Sequence, residues 1–277
     1  MPHSVKQLLD IASGQLQQIA DRPVQEAKIL LSFFLDKDHL WLMTHADDEV
    51  KETQKFLDLV KRRKDAEPIE YITGEVSFYS QSFIAAPGAL IARPETELLI
   101  DEVLARVPSD FSGHIVEIGV GSGVISIILA QKLSHAKISA VDISADALAV
   151  ARKNIKKYKL EDRIKLYEGD LLDPIEETID VLVSNPPYIE AGVFLEKPLD
   201  FEPQNALFGG TVGDEVLKQI IDLSASRNIP LIACEMGYDQ KASLSEYISV
   251  HNDYDVIFYK DLAMFDRGFV MKRKGDK

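Results

Sequence analysis

The chain has 277 residues, 46% of them hydrophobic and 27% charged, which is enough for one large core and a second, smaller one. Its net charge of −14 makes the surface repel phosphate backbones unless positive charge is concentrated locally, so a nucleic-acid substrate is disfavoured. The lone Cys234 excludes an internal disulfide, the scattered histidines lack metal-ligand spacing, and no apolar run approaches the ~20 residues that cross a bilayer.

Up to residue 70 apolar residues recur at helical spacing, as in Ala27, Leu30, Leu31 and Phe34, and again in Phe56, Leu57 and Val60. Residues 1–70 are expected to form a small helical domain. The basic run Lys61 to Lys64 at the end of its last helix reads as a solvated face near a helix C-terminus, or else as a contact with a partner. Residues 71–94 carry short β-prone pieces broken by Gly and Pro, which predicts a hairpin-like linker. "RPETE" (residues 93–97) then reads as a helix start with Pro94 in its first position. From residue 95 to 277 strand and helix candidates alternate, and strands nearly continuous in Val, Ile and Leu imply a parallel sheet covered on both faces. "DYDVIFYKD" and "DRGFVMKR" are separated by a short turn, which predicts an antiparallel pair at the sheet edge. The fold class is therefore α/β, doubly wound and mostly parallel, behind a small all-α domain.

The first chemical motif is "EIGVGSG", Glu117 to Gly123, between a strand and a helix. Gly119, Gly121 and Gly123 let backbone approach a ligand that a Cβ would push away. Val124 stands where a dinucleotide fingerprint would have its third glycine. The spacing resembles motif I of class I methyltransferases that bind S-adenosylmethionine. The next strand ends at Asp142, about 20 residues beyond Gly119, the separation at which an acid reaches ribose hydroxyls. By the same resemblance Asp170 would accept from the adenine amino group and Leu171 would pack on the ring.

"SNPPY", residues 184–188, ends an apolar strand with two prolines. A proline cannot donate to a ladder, so the pair must leave the sheet at the carboxyl end, where open parallel sheets bind ligands. Fixed φ angles hold the nearby carbonyls as acceptors, and with the Asn185 side-chain oxygen they suit a planar NH₂ group, with Tyr188 available for stacking. The site suits methylation of an amide or an exocyclic amine.

Together "NPPY", "EIGVGSG", "PIEYITGE", "RPETELL", "FEPQNALFGG" and "CEMGYDQ" resemble the bacterial HemK/PrmC-type release factor glutamine methyltransferases over nearly the whole chain. The resemblance implies a seven-stranded methyltransferase sheet and a helical domain that recognises substrate. It also implies transfer from S-adenosylmethionine to the side-chain amide nitrogen of the glutamine in the Gly-Gly-Gln motif of peptide chain release factors. Asn185 and the Pro186 carbonyl would accept from that amide, while Pro187 and Tyr188 would shape the slot. Arg93, Glu95, Thr96 and Phe78 would line the methionine end of the cofactor, Phe78 by a cation–π contact. Glu117 would orient the glycine loop or the methionine amine, and Val120, Ser122 and Ile143 would complete the cofactor site. Ala66 stands where the family usually has glycine, and Met264-Phe265 where a glycine and a polar residue commonly appear. An adenine N6-methyltransferase acting on DNA or RNA is the alternative, since "NPPY" is shared with such enzymes, but the charge of −14 opposes it. A silent nucleotide-binding module is a third reading. With no signal peptide in view, a soluble, cytoplasmic, monomeric protein without membrane contacts is expected.

Overall fold

The computed structural model describes residues 3–275. It divides into two compact units, one running to Glu75 and including Glu196–Phe201, the other comprising Val76–Leu195 and everything from Glu202 onward.

The first unit holds α1 (Val5–Leu16), α2 (Pro23–Leu35), α3 (His39–Thr44), α4 (Thr53–Lys64) and α5 (Ile69–Thr73). Ser4 starts α1 with a capping box: its hydroxyl accepts from Gln7 N–H, and the Gln7 side chain accepts from Ser4 N–H. Leu8, Leu30, Leu31, Phe56 and Val60 meet in a sealed core, one stripe from each helix. The basic run is not uniformly solvated. Arg63 is buried and its Nε donates to Glu26 across 2.6 Å, while Arg62 pairs with Glu67. Residues 71–73, β-prone in sequence, instead complete helix α5. Pro68 opens it, burial of Tyr71 and Ile72 holds it, and Gly74 at φ 76° ends it. A hairpin follows, Glu75–Phe78 with Gln81–Ile84, turning through Tyr79 and Ser80, both at positive φ.

The second unit is built on seven strands, β1 (His114–Ile118), β2 (Lys137–Asp142), β3 (Ile164–Glu168), β4 (Val181–Ser184), β5 (Leu231–Glu235), β6 (Tyr254–Lys260) and β7 (Asp266–Arg273). Their spatial order is β3-β2-β1-β4-β5-β7-β6, with the first five parallel and β7 antiparallel to both neighbours. Alternate residues of one strand serve opposite cores: Val181 and Val183 of β4 face one way, Leu182 the other. One core takes α6 (Thr96–Leu104), α7 (Val124–Lys132) and α8 (Ala145–Lys157), and the other takes α9 (Glu215–Ser226) and α10 (Lys241–Ile248). Helix α6 begins at Thr96, two residues later than "RPETE" suggested, because the turn before it leaves Pro94 outside. The chain leaves β1 toward β2 and β3, then returns to β4 on β1's other side, so the strand order reverses between β1 and β4. The crevice at that switch point, beyond the carboxyl ends, is where this architecture binds ligands.

Candidate active site

A cavity of about 340 Å³ occupies that crevice, within the range of small-molecule sites. Gly119 and Gly121 have φ of +71° and +53°, and a Cβ on either would meet no atom closer than 3.9 Å. That open space belongs to the cavity, so the backbone at both glycines leaves room for a ligand to approach. Val120 and Ser122 share the lining, but Gly123 does not. Gly123 caps α7 at φ +84°, and a Cβ there would lie 3.3 Å from that of Ala151, so its role is helix packing.

Asp142, at the end of β2, accepts from Gly121 N–H on one oxygen and from Ser144 N–H on the other, each at 2.9 Å. Burial pushes its carboxyl up against those bonds. These bonds fix the carboxylate at the cavity, and a carboxylate is the acceptor that suits a vicinal diol. Ile143, Asp170 and Leu171 complete this side of the lining. Leu171 sits at φ +45°, a conformation that costs a branched residue on the order of 1–2 kcal/mol. Backbone strain of this kind collects at ligand sites. Glu117 lines the cavity floor, where its carboxylate accepts from both the backbone and the hydroxyl of Ser126 and so pins the glycine loop to α7. Burial pushes its carboxyl up to about 8.

Arg93, Thr96, Asn185, Pro186 and Pro187 also line the cavity, Asn185 next to Gly119. Asn185 Nδ2 donates to Thr96 Oγ1 at 3.0 Å, and Thr96 donates to Glu235 Oε2 at 2.7 Å. Among the described residues no donor reaches Asn185 Oδ1 or the Pro186 carbonyl. Tyr188 does not line the cavity. Its hydroxyl donates to Glu235 Oε1 at 3.1 Å and its carbonyl accepts from Gln240 Nε2 at 2.9 Å, so it anchors the loop at both ends. Phe78 is likewise not in the lining: it packs edge-on against Phe83 in the core, because the hairpin folds its ring inward. Glu95 caps α6 outside the cavity lining.

Two carboxylates emerge whose function the sequence did not disclose. Glu202, nearly sealed from solvent, accepts from Ile91 N–H at 2.9 Å and pairs with Arg93. It thereby ties the strap that follows it, which brings Pro203, Asn205, Ala206 and Phe208 to the cavity. The strap continues as Phe208–Gly210, parallel to Ile189–Glu190, and Gly209 admits no Cβ because the Pro187 carbonyl would lie 2.5 Å from it. Glu235 is the other, and its roles as acceptor for Thr96 and Tyr188 lie on residues far apart in the chain. The cavity thus combines a mainly apolar cleft with a few polar groups and, beside the glycine loop, two oxygens that no protein donor reaches among the described residues.

Two family models match the chain, the PrmC N-terminal domain over residues 7–74 and the Methyltransferase small domain over residues 94–198. The chain is similar to a protein of Clostridium acetobutylicum named release factor glutamine methyltransferase, 34% identical over 262 residues covering 91% of this chain and 92% of the relative. The protein of the same name in Clostridium botulinum is 35% identical over 277 residues, covering 95% and 97%. Among solved structures, the hMettl16 catalytic domain in complex with MAT2A 3'UTR hairpin 6 aligns with a TM-score of 0.56 at 17% identity over 82% of either chain. That likeness is one of fold alone.

Proposed function

The chain belongs to the release factor glutamine methyltransferases, and from that membership we propose how its residues divide the work. The reaction moves a methyl group from S-adenosylmethionine to the side-chain amide nitrogen of a release-factor glutamine. The finer reading places that glutamine in a Gly-Gly-Gln motif. The cavity residues fit the methyl donor: open space over Gly119 and Gly121, the oriented Asp142 carboxylate for a ribose diol, Asp170 for an adenine amino group, and apolar Ile143 and Leu171 for a ring. When bound, S-adenosylmethionine supplies a methyl on a positively charged sulfur.

Everything else falls to the protein. An amide nitrogen is a weak nucleophile because its lone pair is delocalised into the carbonyl. Asn185 Oδ1 and the Pro186 carbonyl accept one N–H each, which returns electron density to the nitrogen and fixes the plane of the amide. Pro187 closes the slot. Thr96 and Arg93 hold the wall on which Asn185 rests, Arg93 through its pair with Glu202. No strong base is required beforehand, since the nitrogen sheds its proton once it carries positive charge. Positioning and preorganised electrostatics can together supply on the order of 10 kcal/mol.

The observation that carries this reading is a pair of acceptors, Asn185 Oδ1 and the Pro186 carbonyl, that no donor reaches among the described residues, beside a glycine-lined cavity. We expect Asn185→Ala to lower kcat by on the order of 10²–10³, as loss of one preorganised contact to the reacting group does, with affinity for S-adenosylhomocysteine retained. The test is incubation with labelled S-adenosylmethionine and a purified release factor, with the methyl mapped by mass spectrometry. A parallel reaction on duplex DNA and ribosomal RNA tests the adenine alternative. Wild-type turnover in Asn185→Ala would remove the amide contact.

A further inference from the structure

We propose that Glu235 is a positioning residue for methyl transfer: it takes the only hydroxyl proton of Thr96 and so dictates which way the Asn185 carboxamide faces. The proposal rests on the reading of Asn185 as the amide acceptor.

The argument follows the protons. A threonine hydroxyl donates one hydrogen bond and accepts others. Thr96 is 3% exposed and its Oγ1 lies 2.7 Å from Glu235 Oε2. An ionised carboxylate only accepts, so the threonine proton points to Glu235. Thr96 Oγ1 is then left with lone pairs alone for its second neighbour, Asn185, at 3.0 Å. Only the NH₂ end of a carboxamide donates. Nδ2 must therefore face Thr96, and Oδ1 faces the opposite way, where no donor among the described residues meets it. Were Thr96 free to donate, the carboxamide could turn over, place its own NH₂ toward the substrate, and repel the N–H it has to bind. A flip of 180° about one bond separates a working site from a blocked one, and the proton of Thr96 decides between them.

The same carboxylate steadies the other end of the loop. Tyr188 donates to Oε1 at 3.1 Å, so both oxygens of Glu235 are engaged by hydroxyls. Gln240 adds a third tie through the Tyr188 carbonyl. Glu235 lies at the carboxyl end of β5, next to β4, is 1% exposed, and has no direct place in the cavity lining. A buried carboxylate held by two hydroxyls is costly to keep unless its orientation of them is used.

A pH dependence follows. Facing Glu235 are Thr96 from α6 and Glu95 just before it, Tyr188 after β4, Arg267 of β7, and Tyr259 of β6; Arg93 bears on Tyr188. Burial pushes the Glu235 carboxyl up to about 7, while the Thr96 and Tyr188 hydroxyls and Arg267 hold it down. Protonated Glu235 no longer compels the threonine proton, so kcat falls as pH drops through about 7.

The experiment measures kcat, KM for a release factor, and S-adenosylhomocysteine affinity for wild type, Glu235→Gln, Thr96→Val, Thr96→Ser, Asn185→Ala and the Thr96→Val/Glu235→Gln double variant. We expect Glu235→Gln to lower kcat roughly 10- to 100-fold, the scale on which misplacing a reacting group acts. Its KM and S-adenosylhomocysteine affinity stay near wild type, and the acidic limb of the kcat–pH profile disappears. The double variant is no slower than Thr96→Val, and Thr96→Ser is at least about tenfold faster than Thr96→Val, the scale of about 1.4 kcal/mol of lost orientation. If Glu235→Gln keeps wild-type kcat and an unmoved acidic limb while Asn185→Ala is slow, the proposal fails and the amide contact stands. If Asn185→Ala is itself unimpaired, the underlying reading fails instead. Should Glu235→Gln not fold, the threonine pair tests the relay alone, and equal rates for Thr96→Val and Thr96→Ser overturn it.

Discussion

Two residues that depart from the family's usual glycines prove to occupy glycine-like backbone. Ala66, at φ +75°, ends α4: its N–H bonds to Arg63 and that of Glu67 to Arg62, the two bonds of a Schellman cap. Met264, at φ +68°, sits in the turn between β6 and β7. Ala66 is buried, so removing its methyl gives back about what the relieved strain gains. The Met264 side chain is 68% exposed and loses little. Met264→Gly should therefore stabilise the fold by about 0.5–1 kcal/mol, strain relief less the added freedom of the unfolded chain, while Ala66→Gly stays near neutral. Denaturant midpoints at constant slope decide it, and a destabilised Met264→Gly would contradict the argument. Glu117 offers a residue-scale test of pH. Its carboxyl stands at about 8 in the fold against an ordinary 4.5, so the folded state holds the proton more tightly. Stability from this group is full below about 4.5 and is lost as pH rises through about 8. Glu117→Gln keeps an acceptor for Ser126 and cannot ionise, so its advantage over wild type should grow from pH 5 to pH 8.5 by roughly 1–3 kcal/mol. Parallel melts at the two pH values would show it, and a constant difference would rule it out.

Among the elements, the strap from Glu202 to Gly210 depends on one side chain. Glu202→Ala leaves the Ile91 N–H without its acceptor and Arg93 without its partner, which should cost about 1–3 kcal/mol and open the strap to protease. Limited proteolysis with the cleavage site mapped is the check, and unchanged resistance would show the strap is held elsewhere. This element also marks where sequence reading stops. The glycine loop, Asp142 and Asn185 were legible because each is a local pattern at a strand end, and the sheet was legible because its strands alternate between two apolar faces. The partners of Glu202 lie 109 and 111 residues away and Thr96 lies 139 from Glu235, distances over which no periodicity speaks. The same gap hides the neighbours of Phe78, Tyr188 and Gly123, whose residue types suit a ligand but whose partners Phe83, Glu235 and Ala151 are supplied by the fold. Arg63 was read as part of a solvated run for the same reason, since Glu26 sits on another helix.

At the scale of the molecule, the strand reversal between β1 and β4 gathers donors and acceptors from sequence positions 93 to 208 into one crevice, while the charge of −14 is spread over the whole chain. Those two distributions respond differently to salt. The contacts of Glu235, Glu117 and Glu202 are buried and feel little of the solution, whereas like charges on the surface interact through water and are screened. Between 0.01 and 1 M NaCl the screening length falls from about 30 Å to about 3 Å. Surface repulsion then fades at all but the shortest separations, and exposed pairs such as Lys55 with Glu52 lose only the little they contributed. With 45 acidic against 31 basic side chains, repulsion is the larger of the two effects lost. Tm should accordingly rise by about 2–4 °C, the shift that 1 kcal/mol produces in a chain of this size. Scanning calorimetry across that salt range measures it, and a falling Tm would mean that attractive surface pairs outweigh the excess of acid.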